Sequence, residues 1–164
     1  MSKPVGFSPV SSAEVTITAV APETVAPDDS PRRGQVLVVD DNAVFGKVLG
    51  RFVEDMGFEA VFAANGEEAV TKFKGRKLSL VLMDVEMPVM NGIDATKKIR
   101  EFEDSSEDEE LRRVPIVGCT SISETCSEEC IEAGMDACLH KPAKREQVKE
   151  VFDKYVGASL TSGI

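Results

Sequence analysis

From Gln35 onward, short apolar runs alternate with stretches whose apolar residues recur every three or four positions. QVLVVD (35–40), FEAVFAA (58–64), LSLVLMD (78–84), VPIVGCT (114–120) and MDACLH (135–140) read as strands. The segments between them read as helices. Asn42 can cap the first helix, whose apolar residues Val44, Phe45, Val48, Leu49, Phe52 and Met56 share one face, and Gly57 stops it. NGEEAVTKFK turns Ala69, Val70 and Phe73 inward, and GIDATKKIREF forms a third helix. SETCSEECIEAG is only weakly apolar, with Cys126, Cys130, Ile131 and Ala133 as its anchors. The last helix spans Lys144 to Val156 and turns Val148, Val151, Phe152 and Tyr155 inward. Strands alternating with amphipathic helices predict an α/β fold with a parallel sheet covered on both faces. Beyond this alternation there is no repeat.

Residues 1–33 are rich in Pro, Ser, Ala and Thr and lack lasting periodicity, so a mobile N-terminal tail is expected there. The globular domain is expected over 34–157, with a short C-terminal tail over 158–164. EFEDSSEDEE (101–110) carries seven acids in ten positions and reads as a solvated loop. A sharper reading makes it a regulatory acidic patch with Ser105 and Ser106 as modification sites.

Composition narrows the function. The net charge of −10 over 164 residues disfavours nonspecific binding to nucleic acid or anionic membranes. No apolar run approaches the ~18 residues of a membrane helix. The N-terminus lacks a basic-then-apolar signal pattern. A cytoplasmic monomer is expected, with the nucleus as the alternative compartment. Four cysteines without a CxxC pair read as reduced, mostly buried thiols. A zinc site from Cys126, Cys130 and the lone His140 fits no usual ligand spacing.

The polar residues at the strand ends carry the chemistry. All strands of a parallel sheet end at one edge, where ligands bind at the reversal of strand order. Strand one ends in Asp40 and Asp41, strand three in Asp84, strand four in Thr120, and strand five just before Lys141. One such ending is ordinary helix capping, but four at one edge suggest a site. Two carboxylates ~4 Å apart repel by roughly 4 kcal/mol at an effective dielectric of 20, so three require a cation. Mg²⁺, which binds one or two carboxylates and keeps its waters, suits them. Asp84 could then take a phosphoryl group as an acyl phosphate. Lys141 would supply positive charge and Thr120 a hydrogen bond. An ionised carboxylate is already the attacking species, so no general base is needed.

VLVVDDN (36–42), VLMDVEMPVMNG (81–92), VGCTS (117–121) and LHKP (139–142) together resemble a response-regulator receiver domain of the multistep-phosphorelay kind. The likeness covers about residues 35–156. It implies a flavodoxin-like (βα)5 fold with strand order 2-1-3-4-5. It implies Asp84 as phosphoacceptor, Asp41 and Asp84 as direct Mg²⁺ ligands, Asp40 acting through water, and the Glu86 backbone carbonyl completing the protein's share of the shell. Lys141 and Thr120 would hold the phosphoryl oxygens, and the Lys141–Pro142 peptide would be cis. A histidine kinase or histidine-phosphotransfer protein would be the partner. The domain would act by conformational change or as a phosphoryl carrier or sink, with self-catalysed transfer and autodephosphorylation as its only chemistry. Helix four, strand five and helix five would report phosphorylation.

Two departures stand out. Cys138 occupies the position, three before the lysine, where the family usually carries a rotating Tyr or Phe. The acidic loop after helix three is long and would lie at the far end of the sheet. No output domain follows the last helix, so either a stand-alone regulator or a piece of a larger protein is expected, the former slightly favoured. A haloacid-dehalogenase-type phosphatase would need an acid where Asn42 stands and its nucleophile on strand one. A flavodoxin would have more aromatic residues for its flavin. The remaining alternative is a phosphorylation-independent binding module on the same fold.

Overall fold

A computed structural model describes residues 33–109, 113–121 and 124–157 of the chain, without the side chains of 124–127 and 157. The elements are β1 (Gln35–Val39), α1 (Ala43–Asp55), β2 (Glu59–Ala63), α2 (Gly66–Lys74), β3 (Leu78–Asp84), α3 (Gly92–Ser105), β4 (Ile116–Thr120), α4 (Glu124–Ala133), β5 (Ala137–His140) and α5 (Arg145–Phe152). A π-helical turn over Asp153–Gly157 follows α5. The strands form one parallel sheet in the order β2-β1-β3-β4-β5. The fold class and strand order match those anticipated. The tails expected over 1–33 and 158–164 fall outside the described residues, Arg33 apart.

Successive strand residues face opposite sides of a sheet, and both faces here are apolar. Leu37, Val39, Val81 and Met83 pack against Ala69, Val70, Phe73, Ala95 and Ile99 of α2 and α3, with Cys130 of α4 in the same cluster. Their alternates Val36, Val38, Leu80 and Leu82 pack against Leu49 and Val53 of α1 and Val148, Val151 and Phe152 of α5. Each such side chain buried contributes about 1.5–3 kcal/mol.

Several expectations need correction. On α1 the buried residues are Gly46, Leu49, Gly50 and Val53, whereas Val44, Phe45 and Val48 are exposed. The buried face is rotated because glycines seat the helix close to the sheet: a Cβ on Gly50 would strike the Phe62 ring. Hydropathy gives a glycine no weight, so the reading followed the larger residues outward. α3 runs three residues past Phe102, so half of the acidic segment is helix, not loop. Glu103 is buried because Arg100, one turn earlier, meets its carboxylate. Ile131 is exposed, and among the described side chains of α4 Cys130 and Ala133 are the buried anchors; Cys126 lies outside them. Cys119 and Cys130 are buried and Cys138 is half-buried, with no disulfide among these three.

Candidate functional site: an acidic cleft at the strand ends

Strand register assembles the site. Val39 pairs with Met83, which sets Asp40 beside Asp84. The Asp40 amide donates to the Ala63 carbonyl (3.1 Å) and carries the ladder one residue past β1. Asp84 pairs with Cys119, Thr120 pairs with His140, and the Lys141 amide donates to the Thr120 carbonyl (2.8 Å). The run after Asp84 has a geometric reason. The Asn91 side chain caps α3 by accepting from the Asp94 amide (2.8 Å). The Gly92 amide donates to the Val85 carbonyl (2.9 Å), and a Cβ there would strike the Asp84 carbonyl. Only glycine lets α3 start this close to the acidic strand end.

Lys141 Nζ stands 3.0 Å from Asp84 Oδ1 and 3.2 Å from Asp40 Oδ2. It also lies 5.4 Å from the centroid of the Phe45 ring. The Lys141–Pro142 peptide is cis, as the resemblance implied. Asp40 Oδ1 accepts from the Asn42 amide (2.8 Å), and Asp84 Oδ1 accepts from the Glu86 amide (3.3 Å). Asp84 Oδ2 is buried without a hydrogen-bond partner. Asp41 is exposed at the mouth. Oxygens of Asp40, Asp41 and Asp84 lie within 4.8 Å of one another. Buried polar atoms are normally satisfied, so an orphaned carboxylate oxygen beside two more acids fits a hard, oxygen-seeking cation such as Mg²⁺. Among the described residues, Cys130 and His140 belong to no such ligand group, and the Cys126 side chain lies outside them.

The electrostatics follow from three acids and one ammonium. Burial pushes the Asp84 carboxyl from its ordinary 3.8 up to about 7; the hydrogen bond from Lys141 works against this and the Asp40 charge adds to it. For Lys141, burial works against the charge, but the Asp84 hydrogen bond and the Asp84 and Asp40 charges outweigh it and raise the pKa. Burial pushes the neighbouring Cys119 thiol up to about 12, which makes it an inert core residue.

Asp40, Asp41, Asp84 and Lys141 thus gather in one cleft. Thr120 borders it, but its hydroxyl donates to the Glu86 carboxylate. The Glu86 side chain was not anticipated: a carboxylate two residues after Asp84 reads only as spacing, and its bond to Thr120 spans 34 residues of sequence. Phe45 was also missed. It reads as core, yet it covers Lys141 from an exposed helix face.

The response regulator receiver domain family matches residues 36–153. The chain is 34% identical over 132 residues to hybrid signal transduction histidine kinase L of Dictyostelium discoideum, covering 78% of this chain but only 8% of that kinase. Among solved structures, the receiver domain of sensor histidine kinase PA1611 from Pseudomonas aeruginosa superimposes with a TM-score of 0.66 at 31% identity, covering 76% of this chain and 98% of that one. That structure has a magnesium ion coordinated in its active-site cleft. The receiver domain of Saccharomyces cerevisiae Ssk1, solved with the histidine phosphotransfer protein Ypd1, gives a TM-score of 0.69 at 29% identity, covering 76% of this chain and 89% of that one. No helix among the described residues is long and apolar enough to cross a membrane. With the sheet order, the acidic triad, the lysine and this match in agreement, the chain belongs to the response regulator receiver domain family of two-component and phosphorelay signalling.

Proposed function

We propose that this chain accepts a phosphoryl group on Asp84 from the phosphohistidine of a histidine kinase or histidine-phosphotransfer protein. The observation that carries this reading is the Asp84 carboxylate itself. One oxygen is held 3.0 Å from the Lys141 ammonium, while the other is buried without a partner beside Asp40 and Asp41. A carboxylate so placed is anchored at one oxygen and unpaired at the other.

Asp41, Asp84 and the Glu86 carbonyl would hold Mg²⁺ directly, and Asp40 through water. The ion supplies charge neutralisation for the acids and the incoming phosphoryl oxygens. The Asp84 carboxylate attacks phosphorus through one oxygen, the P–N bond breaks, and its electron pair returns to the donor imidazole. Lys141 then exchanges its contact with Asp84 Oδ1 for a phosphoryl oxygen, and Thr120 bonds another. Autodephosphorylation reverses the charge flow: water attacks phosphorus, the P–O bond to Asp84 breaks, and inorganic phosphate leaves. The domain is therefore a phosphoacceptor whose only chemistry is its own phosphorylation and dephosphorylation.

The donor would dock on the outer face of α1. Val44, Phe45 and Val48 are exposed there at 69%, 40% and 43%. They border a cleft of about 110 Å³ that reaches Lys141 and Pro142. An apolar patch beside the reacting lysine suits a partner that brings a histidine to Asp84, and the similar Ssk1 receiver domain is solved with a partner of that class, Ypd1. We assign the receiver domain to 34–157, with tails on either side, and place it in the cytoplasm or nucleus.

The test is intact mass after incubation with acetyl phosphate and Mg²⁺. One hydroxylamine-labile phosphoryl adduct is expected, absent without Mg²⁺ and absent in Asp84→Asn. An adduct that survives Asp84→Asn, or a stable one on Ser or Thr, would sink this reading. No adduct at all would favour a phosphorylation-independent binding module.

A further inference from the structure

The Glu86 carboxylate makes three hydrogen bonds across the cleft. Oε2 accepts from the Thr120 hydroxyl. Oε1 accepts from the Ser121 amide at 3.2 Å and the Ser121 hydroxyl at 3.1 Å. The Glu86 amide meanwhile donates to Asp84 Oδ1 (3.3 Å). One residue thus binds the reactive aspartate with its backbone and the end of β4 with its side chain. Its partners are two hydroxyls and an amide converging on one anion, the kind of donor set that would otherwise bind phosphoryl oxygens.

We infer that the Glu86 carboxylate is a built-in stand-in for the phosphoryl group, which latches Thr120 and Ser121 in the resting position and must be displaced before they can turn to Asp84. This rests on the reading of Asp84 as phosphoacceptor and adds a positioning residue that opposes activation. Thr120 is fully buried while Glu86 is half-buried, so the side chain able to swing out to water is the glutamate. A phosphoryl group on Asp84 would act in two ways. It offers Thr120 a better anion, and it repels the Glu86 carboxylate. The latch therefore opens when the charge it imitates arrives, and the β4–α4 connection is released with it. A charge-assisted hydrogen bond outweighs a neutral one roughly twofold, so removing this anion should shift the resting balance measurably.

The experiment compares wild type, Glu86→Ala and Glu86→Gln by NMR in a titration with beryllofluoride at saturating Mg²⁺. Glu86→Ala leaves the backbone carbonyl in place. It should lower the half-saturating beryllofluoride concentration about tenfold, the effect of 1.4 kcal/mol. In metal-free, unliganded protein it should also move the Thr120 and Ser121 amide signals part-way toward their beryllofluoride-bound positions. Glu86→Gln removes the charge but keeps an acceptor oxygen, so it should fall between the two. The rival explanation is a simple change of field, in which Gln and Ala behave alike and the free-state signals stay put. That result would overturn the latch. So would a Mg²⁺ affinity altered by the same factor as the beryllofluoride affinity, which would assign the effect to the metal site. A wild-type protein whose Asp84 region ignores beryllofluoride would instead refute the phosphoacceptor reading itself.

Discussion

The two ends of the sheet each carry a partly buried cluster of charges, and they are solved differently. At the start of β4 and β5, Arg100 uses all three guanidinium nitrogens. Nε donates to the Gly134 carbonyl (2.9 Å), Nη1 to the Val114 carbonyl (2.9 Å) and to Glu103, and Nη2 to Asp136 (2.9 Å). Glu103 also accepts the Val114 amide (2.7 Å), and Asp136 accepts the Ile116 amide (2.9 Å) and Arg113 (3.1 Å). Two cations face two anions. At the other end three aspartates face one lysine, and Asp84 Oδ2 is left without a partner. The saturated cluster fastens α3 to the loops before β4 and β5. The unsaturated one leaves a buried oxygen unpaired, as the proposed binding of a cation and a phosphoryl group requires. Similar burial with opposite satisfaction separates a structural from a functional use of charge.

Breaking the saturated end should have the largest effect on stability. Removing one partner of a buried ion pair strands the other and costs about 3–5 kcal/mol. Arg100→Ala leaves Glu103, 4% exposed, without its guanidinium and frees two carbonyls. Chemical denaturation should show a loss of that size. The α3 end and the entry to β4 should lose amide protection first. A loss below about 1 kcal/mol would mean the network is no better than a surface pair.

The unsaturated end predicts a pH and metal dependence of intermediate size. In metal-free protein the Asp84 carboxyl is raised from 3.8 to about 7. Between those values the folded state holds a proton that the unfolded state releases, so stability falls as pH rises from about 4 to about 7. A shift of this size corresponds to about 4 kcal/mol at most, and Asp84→Asn should flatten it. Saturating Mg²⁺ should restore stability above neutral pH, because it binds the ionised form. Thermal melts across pH, with Mg²⁺ or with a chelator, test this. A profile that Asp84→Asn leaves unchanged would place the strain elsewhere.

The contrast also explains what the sequence made legible. The acidic end was visible because three of its members close apolar runs: Asp40 after VLVV, Asp84 after VLM, Thr120 after VGC. A polar residue at the end of a buried strand is conspicuous. The saturated end was invisible because Arg100, Glu103 and Asp136 sit among other charged residues, and nothing local marks them as inward. Glu103 lay hidden inside an acidic run that reads as solvated loop. α1 was misjudged for a related reason, since Gly46 and Gly50 set its buried face yet carry no hydropathy signal. Glu86 needed the fold, because its partners Thr120 and Ser121 stand on another strand end.

The smallest expected effect concerns backbone strain at the two ends. Two described non-glycine residues have positive φ: Val89 (70°) beside the site and Arg113 (54°) at the saturated end. Arg113 recovers something, since its guanidinium reaches Asp136 (3.1 Å). Val89 recovers little, because its side chain is 75% exposed. It also centres a three-residue turn in which the Met90 amide donates to the Pro88 carbonyl (2.8 Å), a strained arrangement that is worst for a β-branched residue. The turn aims the Met90 carbonyl at the Gly66 amide (3.0 Å) and delivers Asn91 to its capping position, so the shape is needed even though valine suits it badly. Asn tolerates this region far better. Val89→Asn should therefore stabilise the protein by about 0.5–1 kcal/mol, read as a rise of a few degrees in Tm. Phosphorylation by acetyl phosphate should continue, because the substitution leaves Asp84 and its neighbours untouched. Arg113→Asn should go the other way, since it relieves a milder strain and gives up the ion pair. If both substitutions stabilise, the ion pair at the saturated end contributes nothing. If neither does, the strain at Val89 is already relieved by its neighbours.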